Sequence, residues 1–482
     1  MSEKKQSKLK LFIDNFLVYG FGGIISKMIP LIMVPIITRI MPNSSYFGIS
    51  DMSGTIVSFT SALAIVGMYD AMYRMFFEKD ELEYKKTVCS TTLTFTIGMS
   101  IVVFLLMLLF RRQLARWFLK DEALSYVIFL SAISMLVGAT NSIISAPTRM
   151  QNKRKVFLIT NTVSPILSYS ISIPLLLKGY YIIALPLAGI IAGITMETAF
   201  FIMNRRWFRL GLFDGKLLKQ LLRIAIPLFP TFVIYWIFNS SDRIMITNLM
   251  DIGAEGVYSV GSKLGHASQL IYTAFAGGWQ YFAFSTMKEE NQVESNSHVF
   301  EYLGIISFAA TAFMCALSYA LFKILFPSEY MSAYIIAPYL FLAPLLLMLY
   351  QVAINQLLVV KKTWPSLFIL TSGALLNVLL NFVLIPTLGI EGASIATLAG
   401  YAVTVVIASI VLHHMKLMII SKRFLLAVAG MMVFFVVWRV KYPQSTVISF
   451  LLACVYCVFC VFLYRDELSS LIKSIGRKAR QA

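Results

Sequence analysis

Charged residues are scarce in this sequence. They make up 13% of 482 residues, against roughly 25% in soluble domains, while 59% are hydrophobic and the mean hydropathy is +0.78. This balance excludes a soluble globular chain. Apolar runs that reach the roughly 20 residues needed to cross a bilayer recur fourteen times. Their approximate centres are residues 27, 60, 98, 134, 167, 191, 235, 270, 311, 343, 376, 401, 431 and 455.

The apolar runs are continuous rather than alternating, which excludes a membrane β-barrel. The sequence therefore predicts an all-α integral membrane protein with about 14 transmembrane helices, numbered here as spans 1 to 14. Its connections are short, so no large domain is expected outside the bilayer. Only Asp242 and Glu197 among the 23 acids are expected to be buried, and no nucleotide-binding pattern occurs. These features argue against an enzyme.

Cysteine and histidine are also rare, with five and four residues. Cys454, Cys457 and Cys460 recur every three residues in "CVYCVFC", but no histidine or acid lies nearby, so they are interpreted as packing residues rather than metal ligands. His413 and His414 lie in a basic connection and are interpreted as surface residues. The sequence predicts no cofactor beyond a coupling ion.

The basic residues are unevenly distributed along the chain. If the N-terminus lies inside, the inner connections and tails carry 29 of the 41 lysines and arginines, and the outer connections carry nine. The positive-inside rule then predicts a cytoplasmic-membrane protein with both termini in the cytoplasm. The stretch "RRQLARWFLKDE" (111–122) is the exception and is predicted to lie in the outer interface. The net charge of +18 reflects this bias and attraction to anionic lipid rather than nucleic-acid binding.

An internal repeat relates the two halves of the chain. "ISIPLLLKGYYIIALPLAG" (171–189) matches "FVLIPTLGIEGASIATLAG" (382–400) at an offset of about 211 residues. Six crossings return the chain to its starting side, so the repeat predicts two parallel six-helix lobes plus two extra C-terminal helices. The predicted parts are an N-lobe (1–203), an amphipathic cytoplasmic linker (204–223), a C-lobe (224–415), spans 13 and 14 (416–466) and a basic tail (467–482).

The order of these features resembles a known family over essentially the whole chain. The resemblance lies in the six-plus-six-plus-two topology and in "KMIPLIMVPIITRI", "GMYDAMYRMFFE" (67–78) and "NVLLNFVLIPTLGIEGASIAT" (377–397). The chain resembles the Wzx-type polysaccharide biosynthesis, or O-antigen, flippases of the multidrug/oligosaccharidyl-lipid/polysaccharide (MOP) exporter superfamily. Peptidoglycan lipid-precursor flippases and drug antiporters are more distant relatives.

The resemblance implies a flippase that moves undecaprenyl-diphosphate-linked oligosaccharide from the inner to the outer leaflet, for O-antigen, capsule or exopolysaccharide assembly. It would work by alternating access with ion coupling, beside a polysaccharide polymerase and glycosyltransferases. The alternative is a multidrug or small-metabolite cation antiporter, although spans 13 and 14 favour a substrate with a lipid tail. A passive scrambler and a membrane polysaccharide polymerase or glycosyltransferase are further alternatives.

Intramembrane cations are candidate substrate-binding residues, because a charge at the bilayer centre costs at least about 2.5 to 3.5 kcal/mol and diphosphate recognition needs lysine or arginine. Lys27 lies midway along span 1, where a structural ion pair with Asp51 or Glu197 is the alternative. Arg74 lies near the inner end of span 2, where a topological anchor is an equal alternative.

Lys263 and His266, three residues apart in span 8, are the matching candidates in the second lobe. In the peptidoglycan precursor flippases, cations on spans 1, 2 and 8 line the central cavity. Lys27, Arg74 and Lys263 match those cations by span and charge. Lysine replaces arginine at two of the positions, which retains the charge but loses bidentate geometry.

A second set of polar residues suggests a cation site. Asn377 and Asn381 share one helix face, and Asn381, Thr397 and Asp242 lie at depths that agree within about two helical turns. One carboxylate with oxygen ligands from three helices suits Na⁺, and the resemblance implies a coupling-ion site for Na⁺ or H⁺ on spans 7, 11 and 12. The alternatives are interhelical hydrogen bonding by the asparagines and an ion pair between Asp242 and Arg243.

Overall fold

The structure is a computed structural model that describes residues 27–467, except residues 274, 276–278, 280–282, 284–289 and 363. The described residues form helices and no strands. Within the described ranges, eleven single helices are long and apolar enough to cross a membrane, and a bent pair taken as one span makes twelve. The predicted all-α membrane fold is confirmed.

These helices coincide with twelve of the fourteen predicted spans. In chain order they are Ser44–Ile65 with Met68–Phe76, Leu82–Leu109, Glu122–Met150, Lys155–Leu177, Ala184–Trp207, Gly215–Leu249, Gln292–Leu325, Ile336–Val359, Trp364–Leu388, Ile390–His414, Lys422–Lys441 and Thr446–Leu463. The other two, spans 1 and 8, extend into residues outside the described part. Of these, residues 27–40 are helical, and the helix Ile252–Gly265 leads into a 3-10 turn, His266–Ser268. The chain before residue 27, Lys288 and the basic tail from residue 468 lie outside the described residues.

Short polar residues begin several of these helices. The side-chain oxygen of each accepts hydrogen bonds from the free backbone N–H groups of the first turn, which a membrane helix cannot leave unpaired near lipid. Asp214 accepts from Lys216 N at 2.7 Å, and Ser421 accepts from Phe424 N at 3.1 Å. Because Asp214 caps Gly215–Leu249, residues 215–223 of the predicted linker are the first turns of span 7.

Large apolar side chains cover the outer faces of the spans. Val440, Val458 and Phe462 are each at least 65% exposed. In water such a surface would drive aggregation, whereas lipid tails are as apolar as these side chains. The predicted interfacial stretch 111–122 contains the short helix Arg111–Phe118, which carries three arginines.

Span 2 bends by 46° between its two helices. Val66 and Gly67 adopt left-handed backbone conformations there, with φ of 49° and 73°. A Cβ atom on Gly67 would lie 2.8 Å from the carbonyl oxygen of Ala225, so glycine also permits close packing against span 7. The bend therefore depends on this glycine.

The chain divides into two compact units. The first consists of the chain up to Val260 together with Asn377–Ala393, and the second of Gly261–Leu376 and the chain from Ser394. In the first unit, buried clusters form around Met52, Met135, Met72 and Ile143. The lobe and linker boundaries derived from the repeat remain predictions.

Spans 13 and 14 are anchored to the second unit by a buried carboxylate. Glu301, on the helix Gln292–Leu325, is 5% exposed and accepts hydrogen bonds from Ser421 N, Ser421 Oγ and Tyr464 Oη at 2.6, 2.8 and 2.9 Å. Ser297, one turn earlier, accepts from Ile419 N at 2.9 Å. Spans 13 and 14 are thus joined to the rest of the second unit by polar contacts that lipid cannot replace.

Candidate functional site

Asp242 is the centre of a buried polar cluster in the first unit. It lies on Gly215–Leu249 and is 3% exposed. Tyr258 Oη donates to its Oδ2 at 2.6 Å, while Asn381 Nδ2 and Asn377 Nδ2 donate to its Oδ1 at 2.7 and 3.3 Å. Both asparagines lie on Trp364–Leu388 and are fully buried. Three helices therefore supply the side chains around one carboxylate.

The amide groups in this cluster leave one acceptor unused. Ser241 Oγ donates to Asn377 Oδ1 at 3.0 Å, whereas Asn381 Oδ1 is buried and has no hydrogen-bond partner among the described residues. A half-turn of an amide exchanges its nitrogen and oxygen at almost no steric cost. The asparagines can thus present either donors to the bare carboxylate or oxygens to a cation bound beside it.

A second buried charge cluster lies next to Asp242. The Arg243 guanidinium donates from Nε to Asp51 Oδ2 at 2.6 Å, and Glu255 Oε1 lies 4.0 Å from the same nitrogen. The side chains of Asp51 and Glu255 are 11% and 0% exposed. Asp51 is thus bonded to Arg243, the neighbour considered from the sequence as a partner for Asp242.

The two clusters together gather four ionisable side chains in the first unit: the carboxyl groups of Asp51, Asp242 and Glu255 and the guanidinium of Arg243. Charged groups are costly inside a membrane protein and are rarely placed there without a role. This grouping makes the region a candidate functional site.

The predicted cationic residues lie in both units. Lys27 and Arg74 belong to the first unit and are exposed, Lys27 in the helical stretch 27–40 and Arg74 in the last turn of Met68–Phe76. Lys263 and His266 belong to the second unit and are half-buried, and His266 Nδ1 lies 2.7 Å from Ser262 O. Their role in substrate binding stays a prediction.

The structure brings together three of the four predicted cation ligands, Asp242, Asn377 and Asn381. Thr397, the fourth, is 4% exposed and belongs to the second unit. Whether these residues bind an ion stays a prediction.

Comparison with known proteins places this arrangement in a family. Residues 36–335 match the sequence profile of the polysaccharide biosynthesis protein family. The chain belongs to this family. No curated protein sequence matches the chain significantly.

Solved structures show that this member of the polysaccharide biosynthesis family has the MOP exporter fold. It resembles a lipid II flippase, MurJ, in an inward closed conformation, with a TM-score of 0.74, 16% identity, and coverage of 94% of this chain and 100% of that chain. It also resembles an inward-facing multidrug resistance MATE family transporter of the MOP superfamily (TM-score 0.58, 13% identity, 82% and 98% coverage) and a Vibrio cholerae MATE transporter (0.56, 14%, 86% and 98%).

Tyr258 and the cluster of Asp51, Arg243 and Glu255 were not predicted as site residues of this family member from its sequence. Tyr258 lies in "GVYSV", a segment that stands out only for its similarity to "YFGIS". A usable signal was present: Asp51, Arg243 and Glu255 are charges within or beside apolar runs, and such charges need partners. Sequence spacing alone does not reveal which charges pair across helices.

Proposed function

We propose that the protein is a flippase that moves undecaprenyl-diphosphate-linked oligosaccharide from the inner to the outer leaflet of the cytoplasmic membrane. The observation that carries this proposal is the combination of membership in a polysaccharide biosynthesis family with the fold of a lipid II flippase over 94% of the chain. The product would serve O-antigen, capsule or exopolysaccharide assembly, beside a polymerase and glycosyltransferases. Both chain termini would lie in the cytoplasm.

The chemistry of the substrate defines what the protein must provide. A diphosphate linked to sugars has to cross a slab of low dielectric constant, while its polyprenyl chain stays in lipid. Lys27, Arg74, Lys263 and His266 are the proposed head-group contacts, because an ammonium or guanidinium group offsets the phosphate charge. Spans 13 and 14 would support the tail.

We propose further that transport is coupled to a monovalent cation bound at Asp242. Support comes from the buried carboxyl group of Asp242, the unused oxygen of Asn381 and the fully buried Asn377. Na⁺ prefers such hard oxygen ligands, and Thr397 is the proposed further ligand. A proton on Asp242 is the alternative coupling ion.

A leaflet-resolved translocation assay in proteoliposomes tests the flippase. Wild type and Lys27→Ala would be given a fluorescent polyprenyl-diphosphate oligosaccharide, with and without Na⁺ and H⁺ gradients, and Lys178→Ala, a change at another exposed lysine, is the control. We expect gradient-stimulated movement in wild type and control and its loss in Lys27→Ala. Movement at the same rate with and without the Na⁺ and H⁺ gradients would indicate a passive scrambler.

The absence of movement by folded wild-type protein, together with export of cationic dyes, would replace the flippase with a multidrug or small-metabolite cation antiporter. The MATE-like fold makes this the second candidate.

The coupling site has its own test. Asp242→Asn preserves shape and removes the charge, and Asp251→Asn is the matched control, since exposed Asp251 caps Ala254 N and asparagine caps equally well. We expect Asp242→Asn alone to abolish stimulation by the gradient. Full Na⁺-dependent transport by Asp242→Asn would refute coupling at this site.

A further inference from the structure

The first unit contains a polar cavity. The residues that line it belong neither to the proposed head-group contacts nor to the proposed ion site. Its volume is about 150 Å³, and it lies among Glu122–Met150, Lys155–Leu177 and Ala184–Trp207. Seven of its ten lining residues are polar. Among the lining residues on Glu122–Met150, Asn141 lies farthest from the end of the helix at Met150. The separation is nine residues, or about 13 Å at 1.5 Å per residue. A polar cavity at this depth in a membrane bundle requires an explanation.

Several side chains that line the cavity have no partner among the described residues. Asn141 Oδ1 is buried and accepts no hydrogen bond from them. Asn161 and Ser164 also line the cavity, and neither side chain makes a hydrogen bond to the described part of the chain. A buried amide or hydroxyl left unpaired costs about 1 to 3 kcal/mol. The buried Asn141 oxygen therefore points to an occupant that supplies the missing bond, and the half-buried Asn161 and Ser164 side chains are open to the same occupant.

The lining offers acceptors as well as donors. Ser145 Oγ and Thr160 Oγ1 give their hydrogens to the helix carbonyls of Ser142 and Val156, at 3.3 and 2.8 Å, so their oxygens face a ligand as acceptors. The Arg149 guanidinium supplies donors, and the described residues place no carboxylate against it. A fully ionised diphosphate accepts hydrogen bonds only and would leave the acceptors unmatched.

A hydroxyl-rich ring fits this mixture better, because each hydroxyl both donates and accepts. Phe157 also lines the cavity, with the Arg149 guanidinium 4.6 Å from its ring centre, and Met196 and Phe200 complete an apolar wall for the C–H face of a sugar. The volume is below the roughly 300 to 1,000 Å³ of pockets that enclose drug-sized ligands. The space therefore suits one ring rather than a whole oligosaccharide.

The internal repeat reproduces this polar set only in part. At the offset of about 211 residues, four of the seven polar lining residues correspond to apolar ones: Asn141, Thr148, Arg149 and Ser164 to Val352, Val359, Val360 and Leu375. The other three keep polar counterparts, which are Gln356, Thr371 and Ser372. The four polar residues without a polar counterpart distinguish the first half from the second at this place.

We infer that this cavity is a binding subsite for a single hydroxyl-rich sugar ring. The inference rests on the proposed function for its biological source, a ring of the lipid-linked glycan, but the chemistry would equally bind a free sugar. Asn141 and Asn161 bind the hydroxyls through their amides, Arg149 donates from the basic end of the helix, and Phe157 packs against the ring.

Saturation-transfer NMR on the full chain in nanodiscs tests this inference without any transport step. The probes are the methyl glycosides of glucose, galactose and N-acetylglucosamine, with inorganic pyrophosphate as competitor. The variants are Asn161→Leu and Ser164→Leu, and the control is Thr162→Val, next to the cavity on the same helix, with its hydroxyl bonded to Leu158 O at 2.9 Å. Melting temperatures identify any variant that fails to fold.

We expect saturable binding of at least one glycoside, weakened at least tenfold in a folded variant and unchanged in Thr162→Val and with pyrophosphate. A tenfold change corresponds to about 1.4 kcal/mol, within the range for an unpaired polar group. Displacement by lipid-linked oligosaccharide identifies the glycan as the natural source, and its absence identifies a free sugar. Displacement by pyrophosphate, binding unaffected by both variants, or no binding to stable wild type overturns the inference and leaves an anion site or a water-filled crevice.

Discussion

Replacing Arg243 with glutamine removes the positive charge that two buried carboxylates share. Asp51 lies 2.6 Å and Glu255 lies 4.0 Å from Nε of Arg243. Loss of one partner from a buried ion pair costs about 3 to 5 kcal/mol, because the other charge stays buried. Since two carboxylates lose their partner, we expect a loss in the free energy of unfolding near the upper end, about 5 kcal/mol.

The reverse change should cost less. In Asp51→Asn the guanidinium keeps Glu255 at 4.0 Å, so the loss approaches that of one charged hydrogen bond, about 1.5 to 3 kcal/mol. The double variant should cost less than the sum, because the unpaired charges are fewer. A larger loss for Arg243→Gln than for Asp51→Asn distinguishes a buried cation shared by two carboxylates from an ordinary ion pair.

The assay is equilibrium unfolding of purified protein in mixed micelles, followed by tryptophan fluorescence. Arg116→Gln is the matched control, because Arg116 pairs with Glu122 at the surface with its side chain 68% exposed, and such pairs contribute about 0 to 1 kcal/mol. A cost for Arg243→Gln no larger than that for Asp51→Asn, or equal to the control, would refute the reasoning.

Three further predictions concern packing and protonation. Glu301→Gln should weaken the attachment of spans 13 and 14 by about 1.5 to 3 kcal/mol, since it accepts three hydrogen bonds, and limited proteolysis should then cleave before span 13 sooner than in wild type. Gly256→Ala should cost about 1 to 3 kcal/mol in thermal unfolding, because its Cβ would lie 2.0 Å from Ser44 O, while Gly54→Ala, with no atom within 4 Å, should cost nothing. Burial raises the pKa of Tyr330 above its ordinary 10, so the folded state keeps a proton that the unfolded chain loses; stability should fall as pH rises above about 10, and Tyr330→Phe should remove this contribution.

Each of these has an outcome that contradicts it. Unchanged proteolysis of Glu301→Gln would mean that apolar contacts alone hold spans 13 and 14. Equal melting temperatures for both glycine variants would show that the helices separate without cost. A pH profile of Tyr330→Phe identical to wild type above pH 10 would assign the loss of stability to other groups.

The candidate ion site was partly accessible from sequence. Asn377 and Asn381 are four residues apart, so helix periodicity alone places them on one face. Their contacts with Asp242 span sequence separations of 135 and 139 residues. Depth in the membrane suggests the contact, but depth does not specify the rotation of each helix about its axis, and Tyr258 was therefore missed.

The polar cavity shows the same limit more strongly. Asn141 and Arg149 lie on one helix and Asn161 and Ser164 on the next, and each appears in the sequence as an ordinary polar residue in an apolar run. Only the packing of three helices reveals that these groups surround one space and that several lack partners among the described residues.

The membrane class, the all-α fold and twelve of the spans follow from the amino-acid order alone, because hydropathy sums over some 20 neighbouring residues and needs no knowledge of distant contacts. Only the packed helices establish that Arg243 bonds Asp51, that Tyr258 bonds Asp242 and that Glu301 anchors the last two spans. Such pairings depend on helix rotation and close packing, which are set by many weak contacts between helices far apart in the chain.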